Sequence, residues 1–200
     1  MKARTLHIIA LLSILFTGCG EETTNIDVVH DEGKPVMALD YRDFDQAASA
    51  LVQSLLGSGS LKKKDGGRYV VATGRIVNDT MQRIDTDQLM AKIEEELLNS
   101  GQAVMSSAVG SGTDKLIHET RELRDSEEFD QSTVAARGTL IAPELSISGK
   151  IFQRNIRYDK KRQQVEYYFQ LKLSDAKTGL RFWQKEIIVG KRGSNKSVAW

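Results

Sequence analysis

One thiol and three imidazoles are the groups in this chain of 200 residues on which nucleophilic catalysis by sulfur or a zinc site would draw: Cys19, His7, His30 and His118. A disulfide needs a second cysteine, and a structural zinc site needs several Cys or His ligands together. Cys19 meets neither condition, so its chemistry has to come from its position, directly after the most apolar run of the chain. Lys2 and Arg4 form a positive n-region, and Leu6 to Phe16 form an apolar stretch too short to span a bilayer as a mature helix. That combination predicts an export signal over residues 1–18.

The run closes in Phe16-Thr17-Gly18-Cys19, with small residues at the two places before the thiol. This resembles a bacterial lipobox, with Phe16 where Leu is usual. The resemblance implies cleavage before Cys19 and a covalent diacylglycerol plus an N-acyl chain on it; an ordinary signal peptide with an incidental cysteine is the alternative. At about 0.8 kcal/mol per buried CH₂, several acyl chains anchor firmly to a membrane without spanning it. Gly20 follows the cysteine rather than Asp, and by the sorting rule for such lipoproteins this points to the outer membrane, facing the periplasm.

Other reactive groups do not converge. His7 leaves with the signal and His30 lies in a polar leader, so His118 alone belongs to the folded part, on a charged segment. Glu94, Glu95 and Glu96 form a run, as do Glu127 and Glu128, but adjacent helical positions do not share a face, and such runs read as solvated surface. Glycan cleavage by a carboxylate pair is the enzymatic version these residues leave open; the expectation is a binding protein, not an enzyme, with no metal and no cofactor beyond the lipid. Removing the signal moves the balance from 28 bases against 27 acids to 26 against 27. No nucleic-acid or other polyanion partner is implied by that near-neutral total.

Residues 19–36 read as the lipidated N-terminus and a flexible tether, reaching at most ~60 Å when fully extended. Residues 37–192 read as one globular domain and 193–200 as a C-terminal tail, in which Trp200 has no evident role. Phe44, Ala47, Ala48, Leu51, Leu55 and Leu56 recur at spacings of three and four, predicting an amphipathic helix that stops at Gly57. A buried strand is expected at Tyr69 to Ile76, then a loop from Asn78 to Arg83. Asp85 with Gln88 suggests a capping box, Ile84 with Leu89 a staple, and Leu89, Ile93, Leu97, with Met90 and Leu98, the buried face of a second helix ended by Gly101.

A short strand in "QAVMSSAV" and a glycine-rich "GSGT" lead to a helix expected from Thr113, as N-cap, to Arg124. The glycines match neither G-x-G-x-x-G nor G-x-x-x-x-G-K-[ST], so they read as a connection rather than a phosphate cradle. Another helix is expected over Ser132 to Ile141. The last third alternates with period two: Leu145, Ile147, Ile151; then Val165, Tyr167, Phe169, Leu171, Leu173; then Trp183, Ile187, Val189. These predict three antiparallel strands joined by "YDKKRQQ" and "DAKTG" turns. The fold class is therefore an α/β (α+β) sandwich, one mixed sheet of about five strands with an antiparallel C-terminal meander, flanked by helices.

Taken together, the lipobox at Cys19, the opening helix "DYRDFDQAASALVQSLLGSG", "YVVATGRIVNDT" with the capped helix after it, and the closing hairpin "YYFQLKLSDAKTGLRFWQKE" resemble the LpoB-type activators of class A penicillin-binding proteins. The resemblance implies a fold like the TolB N-terminal domain and the CsgG-type lipoproteins. It also implies an outer-membrane lipoprotein that crosses the peptidoglycan mesh, docks on a bifunctional inner-membrane synthase and activates it allosterically. The tether departs from the family pattern, being short and with Pro35 as its single proline. The competing reading is a structural or assembly lipoprotein of a CsgG-like or flagellum-associated system. Candidate partner contacts are Arg157, Lys160, Lys161, Arg162 and Arg181, expected to form one basic end facing an acidic partner, or simply to keep strand edges soluble. Trp183 reads as core.

Overall fold

The computed structural model describes residues 25–30 and 33–197. The export signal, Cys19 and Trp200 lie outside the described residues. The chain divides into two units, residues 1–33 and 34–200. In the first, an exposed turn is closed by Asp27, whose carboxylate accepts from the Val29 N–H at 3.0 Å and pairs with His30 Nδ1 at 2.7 Å.

In the second unit, helix α1 (Tyr41–Gly57) starts at Asp40. The Asp40 carboxylate accepts from the Arg42 and Asp43 N–H groups at 3.0 and 3.3 Å, and Asp43 accepts the Asp40 N–H at 2.8 Å. This reciprocal box satisfies donors that a helix start leaves orphaned. Ala47, Ala48, Leu51, Val52 and Leu55 form its buried face, with Phe44 half-buried at the rim.

Strand β1 (Tyr69–Asp79), helix α2 (Thr86–Asn99), strand β2 (Ala103–Met105) and helix α3 (Lys115–Glu122), which tightens into a 3₁₀ turn (Leu123–Asp125), follow in order. The meander is β3 (Leu145–Arg157), β4 (Arg162–Asp175) and β5 (Arg181–Ser194). One mixed five-stranded sheet results, ordered β2-β1-β3-β4-β5, with β1 parallel to both neighbours and β3, β4 and β5 antiparallel. The α+β architecture thus agrees with the sequence.

The core lies between this sheet and helices α1 and α2. Leu145, Ile147 and Ile151 from β3 and Val165, Tyr167, Phe169, Leu171 and Leu173 from β4 join Leu51, Leu55, Leu89, Ile93 and Leu97 in one buried cluster. Phe44 meets Phe169 edge to face, with centroids 5.9 Å apart, a preferred aromatic geometry. Trp183, Ile187 and Val189 pack on the cluster from β5, half-buried, as expected of Trp183.

Several local expectations are corrected. Strand β1 runs on through Asn78 and Asp79, expected in a loop, because β3 continues to pair with it as far as Asp79 opposite Phe152. The Asp85 carboxylate accepts from the Asp87 N–H at 3.0 Å, one residue short of Gln88, so α2 has a simple cap instead of the expected box. Leu98 points to solvent, 49 % exposed. Helix α3 is capped by Asp114, not Thr113, and is shorter than expected. No helix forms over 132–141. There Gly138 takes φ +78°, and Arg124 binds the Ala135 and Ala136 carbonyls at 2.7 and 3.1 Å, groups a helix would use internally. Strand β5 also extends through Gly193 and Ser194, two residues into the expected tail.

Candidate functional site

In an extended strand successive side chains alternate between faces. The β4 residues that miss the core, Gln164, Glu166, Tyr168, Gln170 and Lys172, therefore share the opposite sheet face with their cross-strand partners. Tyr168 lies opposite Phe152 of β3 on one side and Ile188 of β5 on the other. The Phe152 and Tyr168 rings stack, with centroids 4.6 Å apart and planes 6° from parallel. Ile188 is 54 % exposed, and Val77 on β1, beside Lys150, is 49 % exposed. Apolar and aromatic surface thus crosses all four long strands where neither α1 nor α2 packs.

Charge frames it. The Arg154 guanidinium lies 5.2 Å from the Tyr168 centroid, and Lys150 Nζ lies 5.6 Å from that of Phe152 while pairing with Asp79. The Tyr168 hydroxyl donates to Glu166 at 2.6 Å, and Gln164 Nε2 donates to the same carboxylate at 2.7 Å. The hydrogen bond from Tyr168 is the main reason the Glu166 carboxyl is held below its usual range; reciprocally, it pushes the phenol up. Gln170 Nε2 donates to Glu186 at 2.7 Å. Aromatic and Arg side chains held against one another by ring stacking and hydrogen bonds, on the open face of the sheet, suit recognition of another protein surface.

The five basic residues singled out from the sequence separate into two places. Arg157, Lys160, Lys161 and Arg162 sit together at the β3–β4 turn. Arg181 lies opposite Ser174 at the far end of β4, about 40 Å away along the strand at ~3.3 Å per residue. There its Nη1 donates to Gln184 at 2.6 Å. The single basic end expected of all five does not form. At the turn, Asp159 accepts from the Lys161 and Arg162 N–H groups at 2.8 and 2.7 Å and from Arg162 Nε at 2.7 Å. The Lys161 N–H is the leading cause of its lowered pKa.

Strand pairing brings in cations that local reading missed. Arg192, from the end of β5, lies 3.8 Å from the Tyr158 centroid, with Arg162 at 4.9 Å. Asn195 N–H and Nδ2 donate to the Lys161 and Lys160 carbonyls at 2.9 and 2.8 Å, which sets Lys196 beside the turn. The Phe152–Tyr168 stack was also missed, although one sequence signal exists: an aromatic at the polar parity of an alternating strand.

The remaining reactive types are structural. His118 Nε2 lies 2.7 Å from the Ala108 carbonyl, and Glu96 accepts from Ser49 Oγ at 2.6 Å. In the glycine-rich turn, Gly110 has φ +98° and a Cβ there would collide with the Thr73 carbonyl oxygen. The Ser111 and Gly112 N–H groups bond to Thr73 O and Oγ1 at 2.8 and 3.1 Å. These donors close the edge of β1 and are not free to hold a phosphate. Among the described residues no group of three His, Cys, Asp or Glu side chains could hold a metal ion, and no helix is long and apolar enough to cross a membrane.

A family model described as peptidoglycan-synthase activator LpoB matches residues 43–188. Similar solved structures include the LpoB C-terminal domain from Salmonella enterica, 14 % identical, with 74 % of this chain and 98 % of that one covered at a TM-score of 0.41. The LpoB C-terminal domain from Escherichia coli is 12 % identical with the same coverages and a TM-score of 0.43. Lipoprotein GNA1162 from Neisseria meningitidis is 8 % identical, with 64 % and 84 % covered at 0.32. No curated protein matches the sequence.

Proposed function

The chain belongs to the LpoB family of peptidoglycan-synthase activators, and from that premise we propose that it is an outer-membrane lipoprotein that activates a class A penicillin-binding protein by docking through its open sheet face. The family is one of regulators rather than enzymes. The observation that carries the docking assignment is the stacked Phe152–Tyr168 pair, framed by Arg154 and Lys150, on a face that α1 and α2 leave bare. A synthase surface with carboxylates around an apolar depression complements it.

Activation then requires only that the synthase's active conformation offers this surface a better fit than its resting one; equal affinity for both would shift nothing. Cys19, diacylated and N-acylated, holds the protein at the outer membrane, and residues 19–36 let the domain reach inward. The short tether limits that reach to ~60 Å, so the synthase has to present its docking region well away from the inner membrane.

The test adds the purified unit, residues 34–200, to a bifunctional synthase and follows glycan polymerisation. Stimulation by the parent, lost in the Phe152→Ala/Tyr168→Ala double variant while that variant still unfolds in one cooperative transition, is the expected result. Stimulation that survives the double variant moves docking to another surface. Retention of assembly components in a pull-down, with no synthase, supports the scaffold reading instead.

A further inference from the structure

The end of the β3–β4 hairpin differs from the rest of the molecule in its charge. Arg157, Lys160, Lys161, Arg162, Arg192 and Lys196 gather there, all exposed, and the carboxylate placed among them, Asp159, is already engaged by Arg162 and two backbone N–H groups. The near-neutral balance of the whole chain hides this local excess. The hairpin also outruns the helical layer. The last four residues of β3 are exposed, whereas its first nine are buried or half-buried.

Two further features indicate what such an end meets. Ile156 and Tyr158 are 40 % and 46 % exposed among the cations, an apolar side chain and an amphipathic ring of the kind that settles at a headgroup layer. Beside them an open pit of about 390 Å³ is lined by Asn155, Ile156, Arg157, Arg162, Gln163 and Asn195 around the occupied Asp159. The amides of Gln163 and Asn195 are spent on backbone carbonyls of the turn, and the two guanidinium groups at the rim, Arg157 and Arg162, suit a phosphate ester.

We infer that the β3–β4 hairpin end seats on an anionic phospholipid surface, its Lys and Arg side chains among the headgroup phosphates and Tyr158 at their level. An acidic protein patch would satisfy the charge as well. The exposed Lys side chains, carried on a narrow projecting turn, favour a diffuse planar charge over a shaped pocket. This inference stands without the activator reading and concerns a surface other than the Phe152–Tyr168 face.

The test uses the 34–200 unit, which holds the entire core, in sedimentation with vesicles of equal parts phosphatidylglycerol and phosphatidylcholine, against vesicles of phosphatidylcholine alone. Preference for the anionic vesicles, declining with added salt, is expected. A cation near such a surface contributes roughly fivefold to partitioning, so Lys160→Gln/Lys161→Gln/Lys196→Gln should weaken it by on the order of a hundredfold, with the thermal midpoint unchanged. Tyr158→Ser should weaken binding a few-fold and leave the salt dependence as it was. Equal binding to both vesicle types, no binding at low salt, or a triple variant that partitions like the parent overturns the inference. So does capture by an acidic protein, lost in the triple variant, with no vesicle binding.

Discussion

Strand β4 presents two different proteins on its two faces. Toward the helices it places Val165, Tyr167, Phe169, Leu171 and Leu173, each at most 1 % exposed. Away from them it places Gln164, Glu166, Tyr168, Gln170 and Lys172, none buried. Tyr167 and Tyr168 are neighbours in sequence and opposites in consequence. The inner face is fixed by the demands of packing, since an interior at crystal-like density leaves little choice of side chain. The outer face has no such demand, and the aromatic stack built there is the feature on which the proposed docking rests.

The sharpest break between the faces is between Phe169 and Tyr168. Phe169→Ala should cost about 3–5 kcal/mol, the usual range for an aromatic removed from a packed core, because it leaves a cavity and takes away the ring on which Phe44 of α1 rests. Tyr168→Ala should cost only about 0.5–1.5 kcal/mol, the worth of an aromatic pair beyond area, and should remove most of the affinity for the partner. Denaturant unfolding of both variants measures the contrast; equal losses would mean that the outer stack is structural.

Next in size is a charge on the inner face that the helices enclose. Lys191 has a side chain only 9 % exposed and pairs with Asp43 at 2.5 Å, while its Nζ donates to the Ala38 carbonyl at 2.7 Å. It ties the end of β5 to the start of α1 and to the chain leading into it. Lys191→Met leaves Asp43 and Asp40 facing a dry wall and should cost about 3 kcal/mol, partly restored by adding Asp43→Asn. The acid limb should change as well. Burial pushes the Asp40 carboxyl up, but the Arg42 hydrogen bond and the Lys191 charge outweigh it and leave the pKa below its ordinary value. A carboxyl depressed in the folded state contributes stability above its unfolded pKa and loses it as pH falls through the folded one. Lys191→Met should therefore flatten the loss of stability below about pH 4, as read from melting curves across pH.

How far the sequence foretold these faces depended on range. Helix α1 was legible because the three-and-four spacing from Phe44 to Leu55 is a local signal, and the meander because period two persists over three runs. Residues 132–141 misled because their apolar spacing suits a helix, whereas Gly138 and the grip of Arg124 on Ala135 and Ala136 lie beyond any spacing rule. The basic hairpin end was half legible, and the Phe152–Tyr168 face was not read at all. Four basic residues at the β3–β4 turn are contiguous enough to be found. Arg181 was misplaced, and Arg192 and Lys196 overlooked, because only the β4–β5 register, with Arg162 opposite Ser194, says which ends meet. Lys191 reads as one more surface lysine until α1 is laid over it.

The smallest effect isolates a single hydroxyl on the inner face. Tyr167 is fully buried, yet its hydroxyl donates to the Met37 carbonyl at 3.0 Å, where the chain enters the domain. Burial, and secondarily the nearby Asp43 charge, pushes the phenol up to about 12. A group whose folded pKa is raised contributes stability that is fully present below the unfolded value near 10, and that is lost as pH rises through the folded value. Between about pH 10 and pH 12 the parent should thus lose stability that Tyr167→Phe retains, although the variant starts about 1 kcal/mol lower at neutral pH for want of that hydrogen bond. Tyr168→Phe, made one residue away, removes a phenol raised mainly by its hydrogen bond to Glu166, without the burial of Tyr167 or the contact with Met37, so it should flatten the alkaline limb less. If its alkaline melting curve matches that of Tyr167→Phe, the division of β4 into a packed face and a free one is wrong at the residue where it is drawn most narrowly.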